Sequence, residues 1–509
     1  MKKELIIRLI LCLIISMYAY LYAADCIINV NTTYQRISCI GASSAWNWVD
    51  LNTWGRRLFE DNELDGYIGL SSLRARIDPT GNHAPEVNNL VRAKSINPNI
   101  ICWSTAWTPP AQYKANNKLG GGDENNRFLG AESGEPNWAD IGYANYLVEY
   151  IQYCRSRGIE LYAISPQNEP DWNPDYESCL WTAGQFEVFV RALYSALQNA
   201  GLNTKIMIPD TVNNYGFRDR ASTTMNTLPT ANYVGILATH LYGALPQPLS
   251  SYGFRYVTNQ EWWETEISGS AGGIPEGLEV AHWIHECFVN ANMNGFHYWW
   301  INDLIVDNVP QMKFYVLGNY SKFIRPGFYR VAASSQPTSG VFVSAYKNSN
   351  TSPSRVVIVA FNINDSSVNQ TFIINGVTIS TATPWLTTSS VGLVRQQPLV
   401  VTNNRITYNM PARSVVTFVC SVSGTTYNLT TSVNPSGAGS VSLNPSGGVY
   451  VAGTTVTVTA VSNSGWVFLG WSGDVSGNQN PISIVMNGNR SVTANFVSNN
   501  EWYFNVSNE

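Results

Sequence analysis

Charge is scarce in this chain. Only 13% of its 509 residues are Asp, Glu, Lys or Arg, the formal net charge is −5, and no run of cations follows the N-terminus. Nucleic acid and anionic membrane surfaces are therefore poor partners, because nothing is gathered to neutralise phosphates. Metal-ligand spacing is missing too. The eight Cys (12, 26, 39, 102, 154, 179, 287 and 420) never pair as Cys-x-x-Cys, so there is neither a zinc module nor a disulfide scaffold. His282 and His285 lie three apart on a helical stretch without a third ligand, which favours surface or core roles over zinc. No Gly-rich phosphate turn follows the first strand-like run, which counts against a dinucleotide fold. No later apolar stretch resembles a stop-transfer segment. A monomer with no cofactor and no metal is expected.

The N-terminus has the form of an export signal. Lys2, Lys3 and Arg8 lead into the apolar stretch 9–21, and Tyr22-Ala23-Ala24 offers a small-residue cleavage site near Ala23 or Ala24. A secreted protein is expected, with residues 1–24 removed. Asp25 directly before Cys26 argues against lipidation there. Losing Lys2, Lys3, Arg8 and Glu4 takes the net charge from −5 to −7. Seven Cys remain, so at least one is unpaired; Cys26 and Cys420 could bridge if the first and last strands of one sheet are neighbours.

Aromatic residues are abundant, at 12% with 17 Trp and 27 Tyr. Most such rings serve as core, and the remainder offer flat platforms of the kind sugar rings stack upon. Organisation changes along the chain. Residues 25–40 form a β-rich lead. From 41 to 334, strand-like runs (68–78, 100–107, 160–165, 205–208, 234–241, 296–301) alternate with helical ones such as 144–158 and 184–200, the first ended by Gly158. Alternation over nearly 300 residues without a phosphate turn predicts a (β/α)8 TIM barrel. Residues 335–421 lose helical periodicity and read as alternating strands (341–346, 355–362, 370–374, 414–420), a side β-sandwich that the lead strand joins. Residues 422–497 turn every 8–12 positions, as at Asn434-Pro435-Ser436-Gly437 and Asn444-Pro445-Ser446-Gly447, and form a small C-terminal all-β module. Residues 498–509 are a tail.

Chemistry concentrates at Leu161-Tyr162-Ala163-Ile164-Ser165-Pro166-Gln167-Asn168-Glu169-Pro170-Asp171-Trp172. An apolar strand stops at Ser-Pro and delivers Asn168 and Glu169 to a barrel mouth, where Asn168 can hold a sugar hydroxyl while Glu169 handles a proton. Retaining glycoside hydrolysis needs a second carboxylate, and Trp262-Trp263-Glu264-Thr265-Glu266 supplies one. Glu169 and Glu266 are 97 positions apart (266 − 169). At roughly 30 residues per βα unit the gap is about three units. Glu169 would then end the fourth strand and Glu266 the seventh. Glu264, two residues earlier, shares a strand face with Glu266 if the strand is undistorted, and competes with it as nucleophile.

These segments resemble glycoside hydrolase family 30, most closely its bacterial subfamily 8 xylanases, over residues 27–421. The matching motifs stand in order. They are 104–113 with Trp107, Pro109 and Pro110; Gly120-Gly121-Gly122; Gln167-Asn168-Glu169-Pro170-Asp171-Trp172 with Tyr176-Glu177-Ser178-Cys179; and Thr239-His240-Leu241-Tyr242-Gly243. Trp263–Glu266, Tyr298-Trp299-Trp300 and 320–327 complete the set. The resemblance implies a (β/α)8 barrel with a side β-sandwich, Glu169 as acid/base and Glu266 as nucleophile. It implies that the charge of Glu266 keeps Glu169 protonated until the covalent intermediate forms. Trp46, Trp107, Trp172 and Trp299 become candidate stacking walls, and His240 and Tyr242 groups that orient the nucleophile or a sugar hydroxyl.

One departure bears on specificity. Glucuronic-acid-dependent members carry two arginines and a tyrosine after the Trp-Trp pair, where this chain has Ile301-Asn302-Asp303-Leu304. An Asp repels a uronate and cannot form the bidentate charge pair. The expectation is a secreted retaining endo-β-1,4-xylanase that needs no glucuronosyl branch. Alternatives are a glucuronoxylan-specific enzyme, an exo-xylobiohydrolase, a family member cutting β-1,6-glucan or galactan, or a non-catalytic carbohydrate-binding protein. The 422–497 module resembles secreted bacterial β-repeat modules at Gly470–Gly473 with Asp474 and at Thr493 to Phe496. It is expected to act as a spacer or an attachment to cell surface or polymer, with Trp466 and Trp471 either core or sugar-binding.

Overall fold

The structure, a computed structural model, describes residues 24–499 apart from 425, 452, 453 and 487. The export signal expected at 1–24 and the end of the tail fall outside the described residues, except for Ala24. Among those described, no helix is long and apolar enough to cross a membrane. The chain divides into two compact units between Ser421 and Val422.

Strand β1 (Cys26–Arg36) is followed by eight parallel strands that close into a barrel: β2 (Cys39–Ser43), β3 (Ser72–Ile77), β4 (Ile101–Ala106), β5 (Ala163–Ser165), β6 (Lys205–Thr211), β7 (Val234–Thr239), β8 (Glu261–Glu264) and β9 (Gly295–Tyr298). The predicted (β/α)8 barrel is therefore present. Helices α1 (Leu51–Phe59), α2 (Ala84–Ile96), α3 (Trp138–Ser156), α4 (Ala183–Asn199) and α5 (Asn214–Met225) follow β2 to β6 in turn. Helices α6 (Gly273–His285) and α7 (Met312–Ser321) follow β8 and β9. The unit after β7 departs from the pattern, since its connection holds only the 3-10 turn Leu249–Tyr252 among the described residues.

Period-2 alternation explains how these strands are dressed. On β3, Leu73, Ala75 and Ile77 pack into the large core beneath the helices, which puts Ser72, Arg74 and Arg76 on the inner face. A separate small core of Cys39, Trp103, Ala163, Met207, Ile236, Ala238 and Trp263 fills the barrel itself. Below it the polar residues Ser38, Tyr162, Lys205 and Glu261 bond to one another and close the floor. Four of these seven helices, α1, α3, α4 and α5, start at a side-chain cap. Asn137 accepts from the backbone of Ala139 and Asp140, and Asp140 returns a bond to the Asn137 amide, a complete capping box at the start of α3.

The side β-sandwich is one nine-stranded sheet that doubles over. Phe372 and Phe418 belong to strands five places apart in its order (Val368–Asn375 and Ser414–Val422), yet their rings meet at 5.0 Å. Two boundaries move. The lead residues 25–40 split, because Cys39 and Ile40 open the first barrel strand. Strand Tyr329–Ala333 pairs with β1, and so belongs to the sandwich instead of the barrel that was drawn to residue 334. The Cys26–Cys420 bridge does not form. β1 lies between Tyr329–Ala333 and Val368–Asn375, not beside the strand holding Cys420, and all seven Cys of the described residues are free and buried.

The C-terminal unit has a four-stranded and a three-stranded sheet. Its core includes Leu429, Tyr450, Trp471 and Phe496. Trp471 is buried and donates its Nε1–H to Gln479 O, so it is not a sugar platform. Its last strand, Arg490–Ser498, runs one residue into what the sequence suggested as tail.

Candidate active site

The sites expected at the ends of the fourth and seventh barrel strands meet at one mouth. Just beyond β5, Glu169 takes a left-handed backbone (φ 49°), and its N–H donates to Asp210 O at 2.9 Å. That conformation is costly for a side chain with a Cβ and persists only where the surroundings impose it. Gln167 pins the turn by donating to Trp107 O and Asn168 O. Beyond β8, Glu266 O accepts from Leu241 N–H and its side chain enters the mouth. One oxygen of Glu169, one of Glu266 and one nitrogen of His240 all lie within 4.8 Å of one another.

Glu266 is gripped from two sides. Its Oε2 accepts from an Arg74 Nη at 2.6 Å, and its Oε1 accepts from the Tyr242 hydroxyl at 3.1 Å. Burial raises the Glu266 carboxyl above its usual range, with a smaller upward push from the charge of Glu169, and His240 and Arg74 offset only part of this. His240 sits between the carboxylates, with Nδ1 3.2 Å from Glu169 Oε1 and Nε2 3.4 Å from Asp210 Oδ1 and 3.8 Å from Glu266 Oε2. Burial would lower this imidazole, but Glu266, Asp210 and Glu169 together raise it to about 10, so it is a cation at neutral pH. The Tyr242 hydroxyl is pushed up by burial and by Glu266 and remains a donor. Deeper in the barrel, burial pushes His297 down to about 3; it is neutral and bonded to Trp103 Nε1–H and Ser72. Glu169, His240 and Glu266 have the spacing of a cation site. Arg74 and protonated His240 already supply the positive charge there.

Glu264 is not a rival. Trp263 points into the barrel core, so Glu264, next in the chain, points the other way, toward Cys287 in the turn that continues α6. It is fully buried, accepts from His297 N–H at 2.9 Å, and burial raises its carboxyl well above the usual range. The expected shared face with Glu266 fails because β8 ends at Glu264. Past that end Thr265 and Glu266 both present side chains to the site.

A cleft of about 670 Å³ opens over the pair, lined by Trp46, Trp107, Glu169, Trp172, Tyr176, Val212, Tyr242, Glu266, Ser268 and Trp299. All four predicted tryptophans line it. Trp172 and Tyr176 are each 52% exposed and Trp46 40%, whereas Trp107 is buried beneath Trp46 and Trp299. His240 lies under the lining. Asn168 also sits deep, and its Oδ1 accepts from Arg74 at 2.5 Å. Gly121 explains part of the Gly-Gly-Gly motif: a Cβ there would stand 2.2 Å from Ser178 Oγ and 2.4 Å from Pro174 O, in the loop that carries Trp172 and Tyr176. Residues 300–304 have a structural task. Trp300 Nε1–H donates to Ala45 O and Asn302 Oδ1 accepts from Trp48 and Val49 N–H, fixing the loop that bears Trp46 and exposed Trp48.

Arg74, Asp210, Tyr176 and Trp48 were not among the site residues predicted from sequence. Arg74 had a signal, because an arginine inside Leu73-Arg74-Ala75-Arg76-Ile77 must face away from the apolar side of a buried strand.

Both units resemble known proteins. The sequence profile of O-glycosyl hydrolase family 30 matches residues 91–227, and that of a divergent InlB B-repeat domain matches 429–500. Glucuronoxylanase XynC of Bacillus subtilis is 30% identical over 413 residues, covering 78% of this chain and 92% of that protein. The family 30 subfamily 8 xylanase of Clostridium acetobutylicum superposes with a TM-score of 0.68 at 33% identity, over 78% of this chain and 99% of that one. A family 30 endoxylanase of Clostridium papyrosolvens gives 0.65 at 29% identity, over 78% and 100%.

Proposed function

The chain belongs to glycosyl hydrolase family 30, and on that premise we propose that this glycoside hydrolase is a secreted, retaining endo-β-1,4-xylanase that does not require a glucuronic acid branch. The observation that carries the reading is the close pair Glu169 and Glu266 under an aromatic cleft, with oxygens within 4.8 Å. Carboxyl groups about 5–5.5 Å apart suit a nucleophile and an acid/base, whereas wider pairs leave room for a water. Glu266 attacks the anomeric carbon as Glu169 gives its proton to the departing glycosidic oxygen. In the second half Glu169 takes a proton from water, whose oxygen displaces Glu266. Arg74 and Tyr242 stabilise the ionised nucleophile, and His240 holds Oε1 of Glu169 so that Oε2 faces the leaving group.

The tryptophan-rich cleft and the names of the relatives support xylan as substrate. Branch independence is supported by charge. Among the described residues no Lys or Arg lines the cleft, and Arg76 is committed to Asp78 and Glu177 at 3.0 and 2.5 Å. Secretion rests on residues 1–24, and amino-terminal sequencing of protein from culture medium checks it. We assign the B-repeat-like module at 422–497 to attachment.

Product analysis on linear xylooligosaccharides, arabinoxylan and glucuronoxylan tests the specificity. The expected result is cleavage of undecorated chains at rates similar to glucuronoxylan. Activity on glucuronoxylan alone, with one branch per product, would favour the second reading, the specificity in the name of the Bacillus subtilis relative.

A further inference from the structure

Beneath the catalytic pair lies a third carboxylate with no part in the two chemical steps. Asp210 follows the last apolar residues of β6, is fully buried, and has a left-handed backbone (φ 59°) like Glu169. Its carbonyl accepts the Glu169 N–H. Its Oδ1 accepts from Thr265 Oγ1 at 2.5 Å and lies 3.4 Å from His240 Nε2. Its Oδ2 accepts from Ser165 and Thr105 at 3.0 and 3.2 Å and lies 3.4 Å from Arg74. One side chain thus touches both cations of the site, the neighbour of the nucleophile, the strand that leads to the acid/base and the strand before it.

We propose that Asp210 is a positioning residue of the reaction: its buried negative charge keeps His240 protonated and Arg74 seated, so that Glu266 is ionised and the proton of Glu169 faces the cleft. The proposal rests on Glu169 and Glu266 acting as acid/base and nucleophile.

Charge balance carries the argument. Arg74 and His240 bring two positive charges into a buried site, and in the state ready for the first step, where Glu169 holds the proton it will give away, Glu266 supplies one negative charge. Asp210 supplies the other, and burying an uncompensated charge is costly enough that the group sheds it instead. Among the described residues the other titratable group acting on Asp210 is His297 from β9, which is neutral, while β4 and β5 contribute the hydroxyls of Thr105 and Ser165. His240 also interacts with Asp171 and Glu264, whose carboxyls burial raises. Burial opposes ionisation of Asp210, yet Arg74 and His240 hold its carboxyl well below the usual range. Replace that charge with an amide and, while Glu169 keeps its proton, His240 is the group that restores neutrality, by losing its own. Its Nδ1 can then accept the proton of Glu169, turning it away from the leaving oxygen.

Two measurements test this. In the wild-type enzyme, nitrogen-labelled histidine followed by NMR, with His240 assigned through His240→Gln, should show an imidazolium throughout pH 6–8. A neutral His240 at pH 7 overturns the proposal without any variant of Asp210. In Asp210→Asn, which preserves shape, His240 should titrate near neutrality. kcat should fall roughly ten- to a hundredfold with KM little changed, and the rate profile should gain a basic limb between about pH 6 and 8. Thr265→Val, which removes a hydrogen bond to Asp210 but no charge, should leave that limb absent. An Asp210→Asn enzyme that folds and keeps the wild-type His240 titration and rate profile also overturns it. Retained turnover in Glu266→Gln would instead remove the catalytic assignment, and the substrate-free His240 titration separates the two failures.

Discussion

At the scale of single residues, Glu86 links the sugar platform to pH. It lies on α2, is buried, and its Oε1 accepts the N–H of Trp46 at 2.8 Å, while Oε2 has no hydrogen-bond partner among the described residues. Trp46 itself is left-handed (φ 47°) and has Arg76 over its ring. Burial pushes the Glu86 carboxyl up to about 7, against the smaller pull of Trp46 N–H and Arg76. A carboxyl raised on folding stabilises the protein while protonated. That contribution is complete below the unfolded value near 4.5 and is lost as pH climbs from about 4.5 to 7, at most about 3 kcal/mol. Glu86→Gln should therefore lose less stability than wild type between pH 5 and pH 8 in urea titrations. Equal losses would show that Glu86 is not the titrating group. Nothing in the sequence marked Glu86, because an isolated Glu in a helical stretch normally reads as solvated surface. Glu169 and Glu266 were legible because each ends a strand in a motif. Asp210, which ends a strand too, stood in no quoted motif, and only its three-dimensional contacts reveal it.

Between elements, one asparagine ties barrel to sandwich. Asn319 on α7 is fully buried and donates to Trp385 O at 3.2 Å and Thr417 Oγ1 at 3.1 Å. Its Oδ1 accepts from Thr387 Oγ1 at 2.7 Å, and its backbone oxygen accepts from Thr417 Oγ1 at 2.7 Å. Asn319→Ala strands buried polar partners, which costs about 1–3 kcal/mol for an unsatisfied group. Thermal unfolding should shift down accordingly while kcat of the folded enzyme holds, since Asn319 touches no site residue. An unchanged melting temperature would mean that water or a rearranged side chain replaces these bonds. The barrel was readable from sequence because parallel strands buried on both faces are written as apolar runs between helical stretches. Its ends were less so. Cys39–Ser43 is short and follows β1 after two residues, so hydropathy alone merges the two, and only pairing partners separate sandwich from barrel. Gly41 marks the join, since a Cβ there would stand 2.5 Å from Ser72 O on the adjoining strand.

For the molecule as a whole, the division between Ser421 and Val422 separates the cores of the barrel and sandwich from that of the C-terminal module. The later one draws only on residues from Leu429 onward, and the site draws only on residues before 300. Each unit therefore has what it needs to fold alone. A chain ending at Ser421 should keep kcat/KM on soluble xylooligosaccharides within about twofold, a change no larger than that of a neutral surface substitution. The full chain should show a second unfolding transition that the truncated chain lacks. Attachment predicts a further asymmetry. A module that holds a polymer or cell surface raises the local substrate concentration for the barrel without touching its chemistry. Adsorption to insoluble xylan or cell-wall material should then fall on truncation while hydrolysis of soluble fragments does not. Because Trp471 is spent on the core, such binding must use other exposed groups of the module. If adsorption and soluble activity both survive truncation unchanged, the module is a spacer and not an anchor. If soluble activity collapses while the barrel stays folded, the two units are coupled in a way their separate cores do not suggest.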